Sequence, residues 1–129
     1  MTAPGVPGPD RPVRGMVRVP FVRRCEIVFS GGRTATAFIV NLNVLGAYIA
    51  MDEQPSLHEL VTFRFQPPHK DCEVVLQGSV TWLNPRQQHP VHSLPPGFGV
   101  KLEAPVGENR RCVEEVVEDY IVRNPHVLK

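Results

Sequence analysis

Arg14 and Arg18 stand four residues apart in the segment Arg14-Gly15-Met16-Val17-Arg18, where a Pro- and Gly-rich start gives way to apolar sequence. Arginine is planar and always charged. It donates paired hydrogen bonds to phosphate oxygens or to the O6 and N7 edge of guanine, and it stacks on a purine face. A second segment, Asn41-Leu42-Asn43-Val44-Leu45-Gly46, supplies two amides and a glycine. Asn41 and Asn43 each offer a donor and an acceptor for a base edge. Gly46 allows a close backbone approach or a left-handed turn. Two arginines on a flexible arm, set against polar groups on a rigid element, form a recognition site for a compact anion.

The rest of the sequence offers little other chemistry. There is no G-x-S-x-G, no phosphate-binding P-loop and no dinucleotide fingerprint; Gly97-Phe98-Gly99 lacks the helix that such a fingerprint needs. No nucleophile and base pair is suggested, so an enzyme is not expected. His89 and His92 have no cysteine or carboxylate nearby in sequence, and no metal site is expected there. Cys25, Cys72 and Cys112 are an odd number without paired spacing, which argues against a disulfide framework or a zinc ribbon and for a reducing cytoplasm.

Composition sets the class. The chain has 129 residues, a length that suits one domain. Lys+Arg number 14 against 13 Asp+Glu, a net charge of +1, which does not fit a general nucleic-acid binder. Arg11, Arg14, Arg18, Arg23 and Arg24 nonetheless crowd the N-terminal region and make a local basic arm. The first residues lack the apolar run of a signal peptide, and no stretch approaches the ~20 apolar residues of a membrane span.

The arm and the amide segment need a scaffold, and the periodicity provides one. Residues 1–13 are too poor in large apolar groups to offset ordering entropy and read as a flexible tail. From about Arg23, the alternation of Cys25, Ile27 and Phe29 with polar neighbours gives a half-buried strand. Gly31-Gly32 supports a tight hairpin to a second strand over Thr34–Val40. Further strands are expected over Ala47–Met51, Glu59–Phe65, Cys72–Leu83, with a bulge or bend at Gly78, and Gly97–Glu103. Trp82, a lone tryptophan on a strand, has two readings, a ring for a ligand to stack on and, more often for such a residue, core. Cys112, Val113, Val116, Val117, Tyr120 and Ile121 form the apolar stripe of a helix over Gly107–Arg123, with Glu114, Glu115, Glu118 and Asp119 outward and Pro125 ending it. The expected fold is mainly β: a small six-stranded antiparallel β-barrel with a C-terminal α-helix over residues 14–124, followed by a tail over 125–129.

The two motifs in this order resemble the PilZ domain family, whose signature pairs an RxxxR segment before the first strand with a [DN]xSxxG segment between the second and third. Arg14 and Arg18 match the first; Asn41 and Gly46 match the second; Asn43 stands where the family usually has Ser, and Val13 where it often has a further Arg. Val80-Thr81-Trp82 and Gly97-Phe98-Gly99-Val100 look like the family's late strands. The resemblance implies a split-barrel receptor in a bacterium that binds cyclic di-GMP through Arg14, Arg18, Asn41, Asn43 and Gly46. It implies no cofactor other than that regulatory ligand and no membrane insertion. The signal would be relayed to an unidentified protein effector in motility, pilus or exopolysaccharide control. Two alternatives stand beside it. One is a degenerate adaptor of the same family, acting by protein contact without nucleotide. The other is a small-barrel RNA or DNA binder, disfavoured by the balanced charge and by having only two Tyr and one Trp.

Overall fold

The computed structural model describes residues 15–86 and 94–128. The tail expected over 1–13, Arg14 and the His89/His92 pair lie outside the described residues. Six strands follow in sequence: β1 Val19–Phe29, β2 Thr34–Leu42, β3 Gly46–Ala50, β4 Leu60–Phe65, β5 Val74–Asn84 and β6 Gly97–Leu102. A helix, α1, covers Gly107–Arg123, and a 3-10 turn covers Pro125–Leu128. The strands close into an antiparallel barrel in the order β1-β2-β3-β6-β5-β4, with β4 pairing back onto β1. Among the described residues, closure gives every strand a hydrogen-bonded neighbour on both sides. No helix among the described residues is long and apolar enough to cross a membrane.

The period-two pattern does what it should in β1: Cys25, Ile27 and Phe29 point into the barrel and are buried. They meet Ile39, Ile49, Phe63, Val80 and Phe98 from the other strands in one core cluster. The hairpin at Gly31-Gly32 forms, with the Gly32 amide donating to the Phe29 carbonyl at 2.9 Å and Gly32 at φ +87°. The stripe of α1 joins the same core through Cys112, Val113, Val116 and Val117.

Several boundaries differ from the expectation. β1 begins at Val19 rather than near Arg23: Pro20 pairs with Asn41 despite lacking an amide proton, and the register shifts between Pro20 and Arg23 to accommodate it. β2 extends to Leu42, so Asn41 lies inside the strand, and Gly46 is the first residue of β3. Gly78 carries no bulge. It lies in unbroken register with β4 and opposite Leu102 of β6, and a Cβ there would come within 2.3 Å of the Lys101 carbonyl oxygen. The β5 irregularity sits instead between Val80 and Trp82. Glu114 is not on an outer face. Its side chain is only 13% exposed, beside Gly15. Arg110 and Arg111, unfavourable in the first turn of a helix by dipole alone, are offset by pairing within the helix: Arg110 with Glu114 at 3.0 Å, Arg111 with Glu108 at 2.5 Å.

Candidate functional site

β1 and β2 bring the two motifs together. Val19 pairs with Leu42 and Pro20 with Asn41, so Arg18, two residues before Pro20, shares the outer face with Asn41 and sits diagonally from it. The Arg18 Nη1 donates to Asn41 Oδ1 at 2.7 Å. Desolvation of the guanidinium lowers its pKa from the ordinary value, a small cost for a group that stays charged.

Gly46 lies beneath this guanidinium. A Cβ at 46 would stand 2.8 Å from Arg18 Nη2 and 2.7 Å from the Val100 carbonyl oxygen. Glycine is needed here for close approach, not for a left-handed backbone.

Asn43 is placed differently from the other motif residues. It is 5% exposed. Its Oδ1 accepts from the amides of Leu45 at 2.9 Å and Gly46 at 2.8 Å, which caps the turn between β2 and β3. Its Nδ2 donates to the Met16 carbonyl oxygen at 2.7 Å. The Val44 amide donates to the Gly15 carbonyl oxygen at 2.9 Å, a second tie to the same stretch of arm. Gly15, inside the arginine motif, has φ +80°, and a Cβ there would meet Val44 Cγ1 at 2.5 Å and Glu114 Cγ at 3.0 Å. The arm between the two arginines is thus fastened from Gly15 onward.

Beside Arg18 and Asn41 opens a cleft of about 240 Å³, lined also by Tyr48, Thr81, Trp82 and Leu94. Its floor follows from one missing side chain. Tyr48, Gly99 and Trp82 stand level on β3, β6 and β5. With no Cβ on Gly99, the Trp82 indole lies across β6, its Nε1 filling the space where that Cβ would be. It reaches Tyr48 at a ring-centroid separation of 5.4 Å. Tyr48 points out of the barrel yet is 1% exposed. Its hydroxyl donates to the Pro95 carbonyl oxygen at 2.6 Å and accepts from Asn84 Nδ2 at 2.9 Å. Burial pushes the Tyr48 pKa up, partly offset by the Asn84 hydrogen bond.

The structure therefore brings Arg18 and Asn41 together at one cleft with Gly46 beneath the Arg18 guanidinium, turns the Asn43 amide inward, and leaves Arg14 outside the described residues. Trp82 is not core: it is 41% exposed on the cleft. The signal for this was the glycine at 99, whose role becomes visible only when the register of β5 and β6 is known. A guanidinium, an amide and an indole around one cleft can hold an anion and a flat ring at once.

The sequence profile of the PilZ domain family matches residues 12–119. Among solved structures, the PilZ domain of CeSA from a cellulose-synthesizing bacterium superposes with a TM-score of 0.54 at 16% sequence identity, covering 80% of this chain and 96% of that one. No curated protein matches the chain.

Proposed function

The chain belongs to the PilZ domain family, a family of cyclic di-GMP receptor domains, and from that premise we propose that it binds cyclic di-GMP and relays the signal to a protein effector. One observation carries the reading: Arg18 and Asn41 meet at 2.7 Å on the rim of a cleft that has an indole on its floor. Arg18 takes a phosphate or the guanine O6/N7 edge, Asn41 a base edge, and Arg14 supplies a second guanidinium for the ligand. Gly46, with no side chain, lets the Arg18 guanidinium lie close against the backbone. Each charge-assisted hydrogen bond contributes about 1.5–3 kcal/mol. Three or four of them reach the ~8 kcal/mol of micromolar affinity before ordering costs are subtracted. The effector belongs to motility, pilus or exopolysaccharide control in the bacterial cytoplasm, and no catalytic step is involved.

A second reading has its own observation. All three hydrogen bonds of the Asn43 side chain are spent within the protein. With that amide committed and a residue larger than Ser in place, the domain is an adaptor that acts by protein contact alone. Calorimetric titration of the full chain with cyclic di-GMP separates the two. The receptor reading expects saturable binding at micromolar concentration or tighter, weakened at least ~10-fold by Arg18→Ala. No heat from the folded protein at high ligand concentration rejects it in favour of the adaptor.

A further inference from the structure

Cys72 and Cys112 are 40 residues apart in sequence, yet their Sγ atoms lie 3.3 Å from each other. Cys72 is in the connection between β4 and β5 and is partly exposed; Cys112 is on the buried stripe of α1, 3% exposed. Both are free thiols. A disulfide bond is about 2.05 Å long, so the sulfurs need to close by only roughly 1.2 Å. The junction around them is already registered by the Lys70–Glu115 ion pair at 2.6 Å and by the Val75 amide donating to Asn109 Oδ1 at 3.1 Å.

We propose that Cys72 and Cys112 form a site of reversible oxidative modification, closing an intramolecular disulfide when the protein meets a hydroperoxide. Cys72 is the thiol that solvent reaches. Its thiolate attacks the terminal peroxide oxygen; the O–O bond breaks, the alcohol or water leaves, and Cys72 becomes a sulfenic acid. The Cys112 sulfur then attacks the Cys72 sulfur. The S–O bond breaks, the hydroxyl departs as water with the Cys112 proton, and the S–S bond forms. Two thiols are oxidised by two electrons in total, and one peroxide is reduced. Burial, followed by the hydrogen bond and charge interaction with Cys72, pushes the Cys112 pKa up to about 11, which suits the resolving rather than the attacking role. Cys25 does not take part. It is 2% exposed on β1, and its pKa is pushed up to about 12, chiefly by burial.

The bond would staple α1 to the β4–β5 connection. Glu114, two residues beyond Cys112, abuts Gly15, so the staple sets the helix where it supports the arm. This inference does not depend on nucleotide binding.

The test treats the reduced full chain with hydrogen peroxide, alkylates it with iodoacetamide and maps the peptides by mass. The expected result is a Cys72–Cys112 cross-linked peptide lighter by two hydrogens, reversed by dithiothreitol. A rise in Tm of roughly 5–15 °C should accompany it. The peptide persists in Cys25→Ser and is lost in Cys72→Ser. In Cys112→Ala, if circular dichroism shows it folded, the Cys72 sulfenic acid should accumulate and be trapped by dimedone. Any of three outcomes overturns the proposal: Cys72 driven to sulfinic acid while Cys112 stays alkylatable, Cys72 linked only between molecules, or both thiols unmodified at peroxide levels that oxidise free cysteine.

Discussion

Asn41 and Asn43 are the same residue two positions apart, and they do opposite things. Asn41 is still in β2, where the irregularity between Ile39 and Asn41 breaks the alternation set by Ala37 and Ile39 and turns its side chain to the outer face against Arg18. Asn43 lies just past the strand end, where alternation no longer applies. It turns inward and supplies three hydrogen bonds to the turn and the arm. A polar side chain at a cleft rim contributes to a ligand, and its loss is made good by water. A buried amide contributes to the fold, and its loss leaves backbone groups without partners. The motif therefore contains a half exposed at the cleft and a structural half, and conformity to a family pattern does not distinguish them.

The largest expected effect comes from the structural half. Asn43→Ala orphans the Leu45 and Gly46 amides and the Met16 carbonyl, and should destabilise by about 2–4 kcal/mol. In a thermal melt that is a fall in Tm of roughly 7–15 °C. A fall of a degree or two would show that water replaces the amide and erase the contrast with Asn41. Gly46→Ala comes next, because it strikes both halves. The new methyl must push aside the Arg18 guanidinium and the Val100 carbonyl, at a cost of about 1–3 kcal/mol. Nucleotide affinity should fall with stability, and a variant losing neither would place Arg18 elsewhere.

Asn43→Ser restores the family's usual residue and sharpens the comparison. A hydroxyl keeps a cap on the turn but is too short to hold Met16 as well, so a loss of about 1–2 kcal/mol is expected from denaturant unfolding. Titration of the same variant should show nucleotide affinity within ~3-fold of the parent if Asn43 is only structural. A much larger gain would mean that Asn43 blocks the ligand. Asn41→Ala, on the exposed side, should cost less than ~1 kcal/mol by the same measurement.

The smallest effect is in pH. Burial raises the Tyr48 pKa in the folded state. The unfolded chain therefore releases this proton first, and the contribution to stability is fully present below the unfolded value of ~10 and lost as pH rises through the folded one. Melting at increasing pH should show this loss in the parent protein. In Tyr48→Phe that component should be absent, on a lower baseline because the Pro95 and Asn84 partners are also lost.

Most of the architecture was legible because it rests on local pattern. Cys25-x-Ile27-x-Phe29, the Gly31-Gly32 hairpin and the stripe from Cys112 to Ile121 read directly as strand, turn and helix. Local pattern misleads where a single residue obscures it. Pro20 hid the start of β1, because proline removes an amide that this position does not need. Gly78 looked like a bulge, although its missing side chain makes room for the Lys101 carbonyl of a neighbouring strand. In the site, the resemblance to the PilZ motifs implies Arg18, Asn41 and Gly46, and the fold places Arg18 against both of the others. Of the two readings of Trp82, the one the sequence favours, core, fails because the gap its indole fills, at Gly99, belongs to another strand.

The sequence by itself determined the strands, the helix and the two motif segments, because alternation, helical period and turn chemistry act between residues close in the chain. Only the tertiary structure decided which side of the turn each asparagine faces, that Gly99 makes room for an indole from β5, and that thiols 40 residues apart touch. Those outcomes depend on register and barrel closure. Register is set jointly by all six strands, and no segment carries it alone.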